Sequence, residues 1–221
     1  MTDSTVLNNQ LLKYKSDFAA LEGMRDEHVF SLICYSHFYK EGVFNQEFLN
    51  EYFTDGSSDG GIDMVFSDEP SETLNLLQGK MVSSLNNTQD IIDVFTKMAQ
   101  TVNAFKNNRI NTFSDTLKRC YQNQVSNLPE EGFNYELTLF ITVNLTDEQK
   151  DRIDNKIDSS EELSDYVCNF RDLEDIEETV KNNTDPKTYV DEAKIDFFNT
   201  DNYINRNDNG ALVNISALSL K

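Results

Sequence analysis

Up to Phe53, apolar positions recur at the three-to-four spacing of a helix; beyond Gly61 they switch to the alternation of strands. Thr5–Gly23 carries Leu11, Leu12, Tyr14, Phe18 and Leu21 at roughly helical spacing, with Gly23 as a stop. A second helix is predicted over Asp26–Lys40. Its Val29, Phe30, Leu32, Ile33, Cys34, Tyr35, Phe38 and Tyr39 leave few polar sides, the mark of a buried helix ended by Gly42. Asn45–Phe53 gives a short third helical piece. Gly61–Asp68 and Thr73–Val82 read as two strands around the turn-like Glu69-Pro-Ser-Glu72. Two helices follow over Thr88–Asn107, capped by Thr88 or Asn87, and Ser114–Leu128, broken by Pro129. Asn134–Asn144 is the clearest strand, rich in β-branched and aromatic residues. Thr146 starts a charged helix to about Ser159, Asp172–Asn182 reads as another, and Val190–Phe198, Asn202–Asn205 and Ala211–Ala217 read as strands. The alternation of helices and strands predicts an α/β domain with a mixed central sheet flanked by helices.

Composition narrows the classes. The chain has 221 residues, 38% of them hydrophobic, with fifteen Phe and nine Tyr, enough to fill a core. It lacks a run of about 18 apolar residues, so no transmembrane helix is expected. The start, Met1-Thr-Asp-Ser-Thr, lacks the basic and apolar stretches of a signal peptide. Cys34, Cys120 and Cys168 are scattered without a C-x-x-C, which fits reduced core thiols and a cytoplasmic setting. His28 and His37 are the only histidines, so zinc is not expected.

The net charge of −20 opposes a nucleic-acid surface, because phosphate contacts need Lys and Arg. The charge is polarised, however. Between Lys80 and Pro129 the cations Lys80, Lys97, Lys106, Arg109, Lys118 and Arg119 exceed the acids by three, whereas Thr146–Glu178 is dominated by Asp and Glu. Arg109 and Lys118 are therefore candidate nucleic-acid contacts, although ordinary helix-surface charge is the plainer account of them.

The chemistry concentrates in Asp55-Gly-Ser-Ser-Asp-Gly-Gly-Ile-Asp63 and, fifteen residues further on, Gln78-Gly-Lys80. A turn centred between Pro70 and Ser71 sets Asp63 opposite Gln78, with Cβ atoms about 5 Å apart, and Lys80 on the same face one pleat on. Mg²⁺ prefers oxygen ligands and uses one or two carboxylates plus water and substrate phosphate. Asp63 would supply the carboxylate, with the Gln78 side-chain carbonyl and the Gly79 backbone carbonyl as further ligands. Lys80 would position an attacking water and stabilise negative charge. Gly60 and Gly61 would let the backbone approach nucleic acid closely. Taken alone, an Asp and a Gln-x-Lys are also what any solvent-facing hairpin displays.

Asp59-Gly-Gly-Ile-Asp63 followed by Leu77-Gln78-Gly79-Lys80 resembles the core of the PD-(D/E)XK nucleases, in particular the Mrr-like branch where Gln often replaces the middle acid. With the upstream helix opening Asp26-Glu27-His-Val-Phe30, the set resembles the N-terminal region of the AIPR (abortive infection phage resistance) family, over about Asp26 to Lys80. The resemblance implies a restriction-endonuclease-like core, metal-dependent DNA endonuclease activity with Mg²⁺ or Mn²⁺, and a bacterial phage-defence setting. It assigns Asp63 as metal ligand, Gln78 to the place of the second acid, and Lys80 as the catalytic lysine. Glu27 matches an acid aimed at the metal from a helix, although Asp26 is adjacent and either residue can face inward. An amide at 78 carries no charge, so metal affinity falls unless Glu27 joins the shell.

One nuclease-like domain is expected, with a catalytic core over about residues 24–145 and an acidic α/β portion over about 146–221. The apolar ending Ala211-Leu-Val-Asn-Ile-Ser-Ala further suggests a piece of a longer protein with a missing C-terminal domain; an ordinary terminal strand is the alternative. Nucleases of this class commonly pair as homodimers. The rival functions are an acidic, non-enzymatic DNA mimic and a degenerate nuclease fold serving as a sensor or assembly module.

Overall fold

The computed structural model describes residues 4–40, 42–54, 56–85, 87–130 and 132–184, and the backbone of 203–205 and 211–213. Helix α1 (Thr5–Asp17) starts where Ser4 Oγ accepts from Leu7 N, 3.1 Å. It stops earlier than the apolar pattern predicts: Phe18 turns extended, and a single 3₁₀ turn at Ala19–Leu21 carries the chain on. Helix α2 (Asp26–Phe38) buries the unbroken run Val29–Tyr35, as expected of a helix apolar on most sides. Helix α3 (Gln46–Tyr52) is capped by Asn45, whose side chain accepts from Phe48 N at 2.8 Å.

Strands β1 (Met64–Asp68) and β2 (Thr73–Lys80) form the expected antiparallel hairpin, with Met64 opposite Leu77 and Asp68 opposite Thr73. Continued by one residue, that register sets Asp63 opposite Gln78. Helices α4 (Gln89–Lys106) and α5 (Asp115–Val125) cross over to β3 (Asn134–Ile141), which lies parallel to β2. Helix α6 (Asp147–Asp158) opens with a capping box between Thr146 and Gln149. It leads to β4 (Val167–Arg171), parallel to β3, and then to α7 (Leu173–Thr184). The result is a four-stranded mixed sheet in the order β1-β2-β3-β4.

Alternate strand residues feed two cores, which is why the sheet carries helices on both faces. Val65, Leu74, Leu76, Leu137 and Leu139 pack with Phe95, Met98 and Val102 of α4 and with Leu117 and Tyr121 of α5. Met64, Phe66, Leu77 and Phe140 pack with Leu7 and Leu11 of α1, Phe30 and Ile33 of α2, and Ile176 and Val180 of α7. Each such fully buried Phe or Leu contributes about 1.5–3 kcal/mol.

This compact unit runs to Asp185, so the acidic stretch after residue 145 supplies β4 to the same sheet as β2 and β3, and α7 to one of its two cores. A second unit, Pro186–Lys221, contains an antiparallel pair of β5 (Tyr203–Asn205) and β6 (Ala211–Val213). Both fall within expected strands; the strand expected over Val190–Phe198 lies outside the described residues. Among the described residues, no helix is long and apolar enough to cross a membrane.

Candidate metal centre

The site forms where β1 begins. Gly60 and Gly61 hold φ of 69° and 78°, a left-handed pair that keeps strand pairing from starting at Gly61 and delays it to Met64. Asp59 Oδ1 accepts from Gly61 N at 2.7 Å and closes this turn. The Asp63 backbone is then held from two sides: its N–H donates to Leu77 O (2.8 Å), and its carbonyl accepts from Thr54 N (2.7 Å).

The Asp63 side chain is buried, with 5% of the residue exposed, and polar groups surround it. Oδ2 accepts from Ser31 Oγ at 2.6 Å and from Gly79 N at 2.8 Å. Oδ1 accepts from Gln78 Nε2 at 2.9 Å. The carboxylate thereby ties α2 to the end of β2. At Gly79 the fit is so close that a Cβ would stand 2.3 Å from Ser31 Oγ and 3.0 Å from Phe30 Cδ1.

Asp63, Gln78, Gly79, Lys80 and Glu27 line one cleft of about 250 Å³, together with Arg25, Asp59, Met81 and Val82. The hairpin and the first turn of α2 thus bring the expected residues together. Glu27, not Asp26, is the acid on this cleft: Asp26 is bonded to Lys15 Nζ at 2.6 Å, whereas Glu27 sits 3.7 Å from Arg25. Lys80 is exposed at the rim. Arg25, Glu27, Met81 and Val82 also border an adjoining groove of about 1020 Å³ that runs past Ser83, Ser84, Thr142 and Asn144.

Three expectations need correction. Gln78 was to offer Asp63 a neighbouring oxygen ligand, but its amide nitrogen faces the carboxylate. That assignment follows from its partners, since Nε2 lies between two acceptors, Asp63 Oδ1 and Gly79 O (3.3 Å). Gly60 and Gly61 are buried and do not lie open to a ligand. Helix α4 covers them: Thr101 Oγ1 donates to Gly60 O at 2.8 Å, and the Lys97 stem packs where a Gly61 side chain would go. Arg109 and Lys118 line neither the cleft nor the groove. Arg109 is an exposed residue after α4, and Lys118 pairs with Asp115 at 3.2 Å; the cations that line the cleft with Asp63 are Lys80 and Arg25.

Sequence reasoning missed Ser31, Arg25 and Asp59 as parts of the site. Asp59 was visible as the first acid of the Asp-Gly-Gly-Ile-Asp run. A serine inside an apolar helix gives no local sign that it meets an aspartate 32 positions away.

Among the described residues, no three His, Cys, Asp or Glu side chains group closely enough to hold a metal ion. The oxygens present (the Asp63 carboxylate, the Gly79 carbonyl, the Gln78 amide if it turns over, and Glu27 at the mouth) fit a Mg²⁺-class ion that keeps several waters. They do not form a preorganised cage. Thiol chemistry is disfavoured: burial and the nearby Asp63 charge push Cys34 well up, burial raises Cys120, and it lifts Cys168 to about 12. All three cysteines are free.

Comparison with known protein families, with curated proteins and with solved structures returned no match for this chain.

Proposed function

We propose that this chain is a metal-dependent nuclease domain that hydrolyses nucleic-acid phosphodiester bonds, with DNA as the substrate class. The observation that carries this reading is the convergence of Asp63, Gln78, Lys80 and Glu27, drawn from a hairpin and a separate helix, on one cleft. The choice of DNA and of a phage-defence setting comes from the resemblance to AIPR proteins. A bound Mg²⁺ or Mn²⁺ would supply Lewis-acid polarisation of the phosphate and an activated water.

The chain's own groups do the rest. Ser31 and Gly79 N hold one oxygen of Asp63, so the carboxylate keeps a single orientation at the cleft wall. Lys80, exposed at the rim, holds a phosphate oxygen and stabilises the charge that develops in the transition state. Arg25, between cleft and groove, contacts the neighbouring phosphate, and the groove holds the flanking nucleotides.

The test uses plasmid and short duplex DNA with Mg²⁺, Mn²⁺ or EDTA, comparing wild type with Lys80→Ala and Glu27→Gln. Both side chains are exposed, so both variants should fold. Cleavage should need metal and fall steeply in Lys80→Ala. Equal rates in wild type and Lys80→Ala would remove the assignment.

One observation favours a second reading, a degenerate fold that serves in assembly or sensing. The Gln78 amide nitrogen already bonds Asp63, so the aspartate also works as a clamp between α2 and β2. Metal-independent binding of a partner with no cleavage would support that alternative.

A further inference from the structure

Resting on the metal-dependent reading, we propose that Gln78 is a two-position latch: its amide NH₂ closes the site without metal and must turn over before a cation can bind. The –NH₂ group lies 2.9 Å from Asp63 Oδ1 and 3.3 Å from Gly79 O. These are two of the oxygens a divalent ion would use, so the amide hydrogens stand in for the cation by satisfying both.

The atoms around the latch are fixed. Asp63 Oδ2 is held by Ser31 Oγ and Gly79 N, and Gly79 is built into the β2–β3 ladder opposite Phe140. Ser31 and Phe30 fill the space beside Gly79, which blocks a shift of the strand. The terminal torsion of a glutamine has broad, roughly two-fold preferences, so the amide can rotate by half a turn without backbone movement. The half-turn replaces N–H donors by Oε1 and converts a closed, hydrogen-bonded site into an oxygen-lined one. The hydrogen bonds given up make the cation compete with the protein's own donor. Glutamine at this position therefore sets a threshold for metal, and its missing charge is only part of the effect.

A glutamate at 78 cannot close the latch. It would face Asp63 with a second negative charge, which disfavours the metal-free site and favours the cation.

The test follows the side-chain ¹⁵N–¹H pair of Gln78 by NMR in the wild-type chain, assigned against Gln78→Ala, first in EDTA and then with added Mg²⁺. Alongside it, calorimetric Mg²⁺ titrations and melting curves compare wild type with Gln78→Glu. The amide protons should be protected in EDTA and should lose that protection as Mg²⁺ saturates. Gln78→Glu should bind Mg²⁺ roughly tenfold or more tightly. In EDTA it should melt about 2–8 °C lower.

If wild type binds Mg²⁺ while the Gln78 amide signals stay unchanged, the latch is wrong and the metal site survives. The same holds if Gln78→Glu binds no tighter. If neither protein binds Mg²⁺ or Mn²⁺, the metal reading fails and takes the latch with it. Should Gln78→Glu fail to fold, the wild-type spectra decide alone.

Discussion

Two buried aspartates, Asp63 and Asp172, each gather several donors, and the setting of those donors tells them apart. Asp172 is fully buried and accepts from the Lys150 ammonium at 2.8 Å, Leu145 N at 3.0 Å and Asp175 N at 3.1 Å. It caps α7 and fastens α6 and the loop after β3 to the same point. Burial pushes its carboxyl up, but the Lys150 ammonium and the N–H groups of Asp175 and Leu145 outweigh it and hold the carboxyl below the usual range. The donors at Asp63 include a hydroxyl, a backbone N–H and a side-chain amide that can rotate, and one side opens on a cleft. Donors fixed on every side make a joint; a turnable amide beside a cleft leaves room for a ligand.

This contrast can be broken or sharpened by substitution. Asp172→Ala leaves a partly buried ammonium and two N–H groups without their acceptor, so unfolding free energy should fall by about 3–5 kcal/mol in denaturant titration. The folded fraction that remains should keep the wild-type cleavage rate per molecule. A rate loss beyond unfolding would mean that Asp172 also serves the cleft. Lys80→Ala should do the opposite: an unchanged melting temperature, with cleavage down about 10²–10³-fold, or roughly 2.7–4 kcal/mol on the barrier. Ser31→Ala should cost about 1–3 kcal/mol of stability by leaving Asp63 Oδ2 short of a donor. It should also weaken Mg²⁺ binding, which a purely structural serine would not do.

The smallest effect is on pH dependence. Asp172 has its folded pKa depressed, so its stabilisation is complete above the unfolded value of about 3.9 and is lost as pH falls through the lower folded value. Asp172→Asn should therefore flatten the stability profile below about pH 4. Acid unfolding as steep as wild type would show that other carboxylates govern it.

The hairpin was legible because a Pro-Ser turn of fixed length sets the register, and Met64 does pair with Leu77. Long amphipathic stretches gave α4 and α5, and the Thr146/Gln149 signature gave the start of α6. Strand β4 escaped because Val-Cys-Asn-Phe-Arg is short, half-exposed and, among the described residues, paired on one side, so neither alternation nor a continuous apolar run marks it. At the cleft, pairing along the chain anticipated that Asp63, Gln78 and Lys80 would lie together. The covering of Gly60 and Gly61 by α4 and the reach of Ser31 to Asp63 are tertiary facts that no local spacing encodes.

The tight seat of Gly79 has a consequence for anyone surveying tolerance to substitution across this chain. With Ser31 Oγ standing 2.3 Å and Phe30 Cδ1 3.0 Å from where a first side-chain carbon would be, even alanine would displace Ser31 and press on Phe30. Position 79 would rank among the most intolerant whether or not its carbonyl ever meets a cation. Depletion there reports how closely a helix rides on a strand, and the discriminating positions in such a survey are the roomy ones, 27 and 80.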